Sequence, residues 1–379
     1  MNIYVDEDLK AIAAQTAEYV EREIVPRGDE WEAQGHIPRE ILRQMGQLGF
    51  FGLRVPEEYG GIGMGPLASV VFSEQLGRST YGGFTITVLA HTDLAMPYLT
   101  KFASDELKAR FLPPMVSGDK IAGIAVTEPD AGSDVAAIRT TARRDGDGYL
   151  LNGTKMFITN GSEGDVVLVA AKTDTEVKGS RGVSMFVVES GTAGFMVGRA
   201  LSKMGWRSSD TAELVFSDCY VPAANLIGEE NRGFYYIMEN FQNERLILAG
   251  QSLGEAQRAI EITVDYLKER RAFGASLWSK QAIRQRLAMD QARLDAARQL
   301  TYHAAWLEEQ GVDAVRAVSE VKALVGELVN EVLYDCVQFH GGMGFIAETT
   351  VERLYRDARV QSIGGGATEV MLDEVAKRM

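Results

Sequence analysis

Ile121-Ala122-Gly123-Ile124-Ala125-Val126-Thr127-Glu128-Pro129-Asp130-Ala131-Gly132-Ser133-Asp134 is where the chain changes character. Upstream, from Asp6 to about Gly118, apolar residues recur at helical spacing, as in Leu9, Ile12 and Ala13, or Leu67, Val70 and Val71 with Glu74. Breaks fall at Pro26, Pro38, Pro56 to Gly65 and Pro113-Pro114. From Lys120 to Pro222 the apolar residues come instead in short β-branched runs: Ile121 to Val126, Val166 to Ala170, Val183 to Val188 and Ala212 to Phe216. Turn signals such as Asp145-Gly146-Asp147-Gly148 and Asn152-Gly153 separate them. After Gly233 helical spacing returns over about 234–270, 280–309 and 312–338, rich in Ala and Leu and almost without Pro, which predicts a bundle. The expected fold is α+β: an N-terminal α-helical domain over 1–119, a middle antiparallel β domain over 120–226 and a C-terminal helical bundle over 227–379.

The 379 residues suit two or three domains at about 150 each. A net charge of −14, from 39 basic against 53 acidic side chains, argues against a phosphate-backbone binder, so nucleic acid is not an expected partner. Cys219 and Cys336 are the only cysteines and stand in no paired-ligand spacing, so neither a disulfide framework nor a zinc site is expected. The opening Met1-Asn2-Ile3-Tyr4-Val5-Asp6-Glu7-Asp8 is acidic where a secretory leader is basic then apolar. No run reaches the roughly 18 apolar residues of a membrane span, and the expected location is cytoplasmic.

Several catalytic classes find no support. Gly60-Gly61-Ile62-Gly63-Met64-Gly65 and Gly341-Gly342-Met343-Gly344 complete neither a dinucleotide nor a P-loop fingerprint, and locally read as tight turns. Four scattered histidines without HExxH give no metal site, and no GxSxG elbow nominates a nucleophilic serine. Glu244 is more informative. It shares a helix face with Ile237, Phe241 and Leu248, which places a carboxylate on an apolar stripe away from Glu239 and Gln242. Burial there would raise its pKa toward the range of a general base, opposed by Arg245 if that side chain reaches back; an ion pair with a facing helix explains the position equally well. The loop from Val126 to Asp134 offers small residues, hydroxyls and free N–H groups that can pack against a planar ring, or form an ordinary Asx-type turn.

Taken in order, five motifs resemble the flavin-dependent acyl-CoA dehydrogenases over nearly the whole chain. They are Val126 to Asp134; Asn152-Gly153-Thr154-Lys155-Met156-Phe157-Ile158-Thr159-Asn160-Gly161; Glu269-Arg270-Arg271-Ala272-Phe273-Gly274 with Gln281; Gln338-Phe339-His340-Gly341-Gly342-Met343-Gly344-Phe345; and Arg356-Asp357-Ala358-Arg359. The resemblance implies a four-helix bundle in the C-terminal domain and an FAD enzyme that removes the α-proton of an acyl thioester. The β-hydrogen passes as hydride to flavin N5, giving a trans-2-enoyl product. Most members carry the base in a Tyr-Glu-Gly-Thr stretch; here the matching Ile363-Gly364-Gly365-Gly366-Ala367-Thr368-Glu369 places Gly365 at that position. A branch resembling isovaleryl-CoA and long-chain acyl-CoA dehydrogenases instead carries it in a Glu-Arg-Leu context on the bundle helix, which here is Glu244-Arg245-Leu246. Glu244 is thus the expected base, and the Gly365 N–H, with a ribityl hydroxyl, the expected polariser of the thioester carbonyl.

The same resemblance assigns Val126, Thr127, Gly132 and Ser133 to one side of the flavin ring and Phe157, Ile158 and Thr159 to the other, with Phe157 where many relatives have Trp. Arg270, Phe273, Gln281, Gln338, Gly341 and Gly342 resemble parts that reach the FAD of a neighbouring subunit, so an oligomer, commonly a homotetramer, is implied. Ala367 and Glu369 stand at the last flavin contact, where relatives have Thr and often Gln. Ser133, Phe241 and Arg245 are the implied substrate contacts. Tyr81 to Tyr98, with Phe84, Val88, Leu89 and Met96, matches the helix along the acyl pocket and favours an apolar acyl chain. An electron-transferring flavoprotein is the implied acceptor. The alternative is a dehydrogenase of acyl or aminoacyl groups tethered to a carrier protein.

Overall fold

The computed structural model describes residues 3–177 and 179–379; Met1 and Asn2, which open the acidic N-terminal stretch, and Lys178 lie outside the described residues. The N-terminal third is helical: α1 Glu7–Tyr19, α2 Gly28–Gln34, α3 Arg39–Gln47, α4 Pro66–Gly77, α5 Gly82–Leu89, α6 Met96–Phe102 and α7 Asp105–Val116. Caps set two of the starts, with Asp6 accepting from Leu9 N at 2.9 Å and Ser104 from Leu107 N at 3.3 Å. The segment Tyr81 to Tyr98 is not one α-helix. A π turn, Ala90–Ala95, interrupts it between α5 and α6.

The middle of the chain forms one sheet from β1 Ala122–Ala125, β2 Thr141–Asp145, β3 Gly148–Thr159, β4 Val166–Lys172, β5 Val183–Glu189, β6 Phe195–Ala200, β7 Thr211–Pro222 and β8 Leu226–Ile227. The strand order is β6-β7-β3-β2-β4-β5-β8, with β1 also on β4. The expectation of a purely antiparallel sheet needs correction: β1 runs parallel to β4 from Ala122↔Val166 to Ala125↔Val169, and Thr141 of β2 lies parallel to Lys172. A parallel neighbour cannot be reached by a tight hairpin. The chain leaves β1 through the long excursion 126–140 instead, and that excursion carries the first motif. β4 and β5 are buried on both faces and so read as apolar runs, broken in β5 only by the buried Ser184. Val166, Leu168 and Ala170 face Met96, Tyr98, Phe111 and Ile237, while Val167, Val169 and Ala171 face Tyr149, Leu151 and Phe216.

The last third holds α8 Gly233–Glu269, a short hairpin of β9 Arg271–Ala272 and β10 Ala275–Ser276, α9 Gln281–Glu309, α10 Val315–His340, α11 Thr350–Ala358 and α12 Thr368–Ala376. Three long helices and the shorter α12, packed on α10, make the bundle, and α4 lies along α8 and α9. Glu74 of α4 accepts from Arg298 Nε and Tyr302 Oη of α9, each at 2.8 Å. Asp357, fully buried in α11, accepts from Trp206 N at 2.7 Å and Gly82 N at 3.3 Å and so joins all three regions. Burial, with Glu32 nearby, pushes its pKa up to about 7. Cys219 and Cys336 are buried free thiols, and no helix among the described residues is long and apolar enough to cross a membrane.

Candidate functional site

Val126 is buried and the loop that follows it emerges at the sheet end, where Gly132 and Ser133 are exposed. Two layers of bonding hold this loop. Glu128 and Ala131 exchange backbone hydrogen bonds of 2.9 and 3.2 Å, and Met156 N of β3 donates to Thr127 O at 2.9 Å. Beneath them Lys155, with no exposed surface, donates from Nζ to Glu128 Oε1 at 2.7 Å and to Val126 O at 3.0 Å. Glu128 also accepts from Thr140 N at 2.9 Å and from Arg139 N. Burial alone would raise the Glu128 pKa; the Lys155 ammonium and these donors outweigh it and hold the carboxyl below its usual range. Burial draws Lys155 down to about 8 against the pull of Glu128, so the pair is ionised at neutral pH.

β3 carries the second wall. Its register against β7 shifts between Lys155 and Ile158, a bulge that lets two successive side chains leave the alternation. Ile158 turns into the core, Thr159 is half-buried, and Phe157 points outward at 66% exposure with φ +62°. Phe157 thus combines a backbone in the left-handed region with a ring left out of the core. Asn160, also at positive φ, is buried and ties the strand end to Thr87 O and Ala122 O, each at 3.0 Å.

A second concavity of about 810 Å³ opens on the bundle, lined by Arg270, Gln338, Gly341 and Gly342 with Tyr266 and Ile346. Tyr266 stacks on His340 at 4.3 Å and donates to its carbonyl at 3.3 Å, which firms one wall. A Cβ added to Gly132, Gly341 or Gly342 would meet nothing within 4 Å, so the backbone there is open to a ligand. Phe273, in the β9–β10 hairpin, is 94% exposed at positive φ, and Gln281 is exposed at the start of α9; neither lines the concavity. Ala367 caps α12 and Glu369 sits exposed in its first turn.

Glu244 lies where helical periodicity placed it. It is 6% exposed on α8, with Ile237 and Leu248 buried on the same stripe and Phe241 packed against the cluster that holds Val126, Met96 and Tyr98. The facing-helix ion pair is not found: no lysine, arginine or histidine nitrogen among the described residues lies within 4.0 Å of its carboxylate. Burial raises its pKa to about 8, with Arg245 and Asn240 pulling the other way. Asn240 Nδ2 donates to Glu244 Oε1 at 3.3 Å and to the carbonyls of Asp93 at 3.3 Å and Leu94 at 3.2 Å. Asn243 Nδ2 takes the Asp93 carbonyl as well, at 3.0 Å, while its Oδ1 accepts from Arg54. The π turn thus exposes carbonyls that α8 captures through Asn240 and Asn243, in the turn that leads into Glu244.

Leu248, one turn after Glu244, leans back over that turn, and a Cβ built on Gly365 would come 2.3 Å from its Cδ1. Gly365, at φ +66°, therefore sits against the Glu244 face of α8 with no room for a longer side chain in the present packing. Arg245, its guanidinium 5.7 Å from the Phe241 ring centroid, reaches toward Gly366. Phe84, Val88 and Leu89 pack in one core cluster with Leu248, and Met96 in the neighbouring one, so these four are as much core as wall.

Family models for three successive domains match in the same order: acyl-CoA dehydrogenase, N-terminal domain, over residues 6–119; middle domain over 123–219; and C-terminal domain over 231–379. The chain belongs to the acyl-CoA dehydrogenase family. It is 40% identical over 365 residues to the long-chain specific acyl-CoA dehydrogenase of Sus scrofa, covering 95% of this chain and 84% of that one. Identity to the isovaleryl-CoA dehydrogenase of Pongo abelii is 36% over 369 residues, 97% of this chain and 87% of the other. An FAD complex of PigA superposes with a TM-score of 0.95 at 29% identity, covering 100% of this chain and 99% of that one.

Acyl-CoA dehydrogenases are flavin-dependent oxidoreductases that bind FAD. The outward Phe157 ring and the open Gly132 backbone are an apolar wall and a polar edge of the kinds a flavin ring requires, and the 810 Å³ concavity, on the bundle and lined by neither, is a separate volume of the size a nucleotide needs. Sequence reasoning missed three buried polar side chains that hold these candidate residues in place. Lys155 carried a signal, since a lysine among the inward positions of β3 demands a buried partner. Lys322 carried none, because its partners are backbone carbonyls distant in sequence; Asn240 stands one turn before Glu244, but its carbonyl partners, Asp93 and Leu94, are as distant.

Proposed function

We propose that this chain dehydrogenates an acyl-CoA between the α and β carbons, with Glu244 taking the α-proton and the Gly365 N–H polarising the thioester carbonyl. The observation that carries it is a buried carboxylate without a cation partner among the described residues, one helical turn from the leucine that touches Gly365. A base must be strong enough to take a weakly acidic proton; a pKa raised to about 8 gives Glu244 that strength, and makes the fraction ready to act grow as pH rises toward 8. Arg245 keeps Glu244 from rising further, and Phe241 beside it offers the thioester an apolar flank. Ser133 at the loop tip is the remaining proposed substrate contact. Bound FAD supplies the acceptor for the β-hydrogen, and the product is the trans-2-enoyl thioester. Val126, Thr127, Gly132, Ser133, Phe157, Ile158 and Thr159 hold the ring in this proposal, with Ala367 and Glu369 at its far edge.

Arg270, Phe273, Gln281, Gln338, Gly341 and Gly342 take the nucleotide part, and the exposed Phe273 and Phe345 favour a second subunit closing that concavity, within a homotetramer. An electron-transferring flavoprotein as acceptor, a cytoplasmic location and an apolar acyl chain complete the proposal, the last supported by Phe84, Val88, Leu89 and Met96. The test is an anaerobic titration with straight, branched and aromatic acyl-CoAs, following bleaching of the oxidised flavin band. Bleaching by one class names the substrate; flavin that no CoA thioester bleaches overturns the proposal in favour of a carrier-protein thioester.

The pH dependence follows from the same geometry. Reduction should rise as pH passes through 7 to 8, where Glu244 loses its proton. Asn240→Leu removes a donor that favours the carboxylate, so the midpoint moves to higher pH and the rate at pH 7 falls, roughly tenfold for each pH unit moved. Rapid-mixing flavin reduction across pH 6 to 9.5 reads this; an unmoved midpoint contradicts it.

A further inference from the structure

Lys322 is 2% exposed, and no carboxylate among the described residues lies within 4.0 Å of its ammonium. It donates instead to two backbone carbonyls, Gln361 O at 2.5 Å and Gly366 O at 3.1 Å, which bracket the turn carrying Gly364 and Gly365. Its Cε lies 3.7 Å from where a Gly365 Cβ would stand. Lys322 does not act alone on α10. Gly326, one turn on, approaches so closely that an added Cβ would be 2.8 Å from Gln361 O, and Asn330, a further turn on, donates to Ala358 O at 3.2 Å. Positions i, i+4 and i+8 of one helix face therefore form a rail on which residues 358–366 are seated.

A neutral amide could satisfy two carbonyls without the cost of desolvating a charge. Choosing an ammonium is intelligible if the positive charge itself is used. The charge sits behind the glycine whose N–H meets the thioester oxygen, where negative charge grows as the α-proton leaves. Burial, with Arg245 adding to it, brings the Lys322 pKa down to about 8, which still leaves it cationic at neutral pH.

We propose that Lys322 is a positioning residue for this reaction: it clamps the Gln361–Gly366 turn so that the Gly365 N–H is held for the thioester carbonyl, and it places a cation behind that donor. The inference rests on the function proposed above. Its test uses the FAD-loaded protein and an acyl-CoA whose β-carbon is replaced by sulfur, which can lose its α-proton but has no β-hydrogen to give. The readout is the thioester carbonyl stretch of the bound analogue, a measure of polarisation that general destabilisation does not move.

Wild type should lower that frequency relative to the free analogue. Lys322→Met should bind the analogue within a few-fold of wild type, lose at least half of the lowering, and reduce flavin with true substrate roughly 10²-fold more slowly at nearly unchanged KM. Lys322→Arg, which keeps the charge, should recover part of both, and Lys322→Gln, which keeps a donor without charge, should fall between Met and Arg. A carbonyl stretch equal to wild type in the Met variant overturns the proposal, as does one equal to wild type in the Gln variant should the Met variant not fold. Glu244→Gln separates the two readings: it should still lower the carbonyl stretch of the bound neutral analogue, without the further drop that loss of the α-proton brings, while abolishing reduction. Turnover surviving in that variant removes Glu244 as base and leaves Lys322 standing, whereas a wild-type protein that binds no acyl-CoA removes both.

Discussion

Glu244→Gln should keep its fold, its FAD and its affinity for acyl-CoA, and reduce flavin roughly three to four orders of magnitude more slowly, the upper end of what a positioned base contributes. The amide has the size and shape of the acid but cannot take a proton. Stability should not suffer, because no ion pair is broken: among the described residues Glu244 has no cation within 4.0 Å. Removing a buried ionisable group should even flatten the pH dependence of Tm. The folded-state pKa, near 8, lies above the unfolded value of about 4.3. The stability contributed by burying the neutral acid is thus complete below about pH 4 and is lost as pH rises toward 8. The Gln variant should escape that loss and melt higher than wild type at pH 8. Anaerobic flavin reduction gives the rate and thermal unfolding across pH gives the second readout. Near-normal reduction would remove Glu244 from the chemistry.

The position of that carboxylate was legible in the sequence because it depends on one helix alone; its role as base came from resemblance to a family, and the lack of an ion pair from the fold. Ile237, Phe241, Glu244 and Leu248 share a face by the 3.6-residue period, and nothing distant in sequence alters which way α8 turns. The glycine at 365 carried no such local signal; its meaning came from resemblance to a family, and its contact with Leu248 from the fold. The parallel pairing of β1 was invisible for a physical reason. Apolar runs announce strands but not partners, and β1 finds β4 only after the chain has built β2 and β3. The π turn escaped for a related one: the residues that stabilise its free carbonyls, Asn240 and Asn243, belong to α8. The cavity wall of Arg270, Gln338, Gly341 and Gly342 likewise joins the end of one helix to the end of another.

The second large effect is expected at a pair that touches neither substrate nor base. Lys155→Met should destabilise the protein by about 3–5 kcal/mol, the usual consequence of removing one partner of a buried ion pair. Lys155 is wholly buried and Glu128 nearly so, so solvent screens neither charge. The methionine fills most of the lysine's volume, which isolates loss of the charge and its two hydrogen bonds from loss of packing. What loosens is specific: Val126 O and Glu128 Oε1 lose their common donor, and they anchor the loop whose tip is Gly132 and Ser133. Weakened FAD retention should accompany the lower Tm. Glu128 keeps its bonds from Thr140 N and Arg139 N, so Lys155→Met should be milder than Glu128→Leu, which leaves an ammonium in an apolar pocket and two amide donors unmet. The double variant Lys155→Met/Glu128→Leu should then lose less than the sum of the two, because each single change already incurs the cost of an unpaired charge. Denaturant unfolding of the four proteins measures the coupling. If the losses simply add, the two side chains act independently, and the loop is held by its backbone bonds alone.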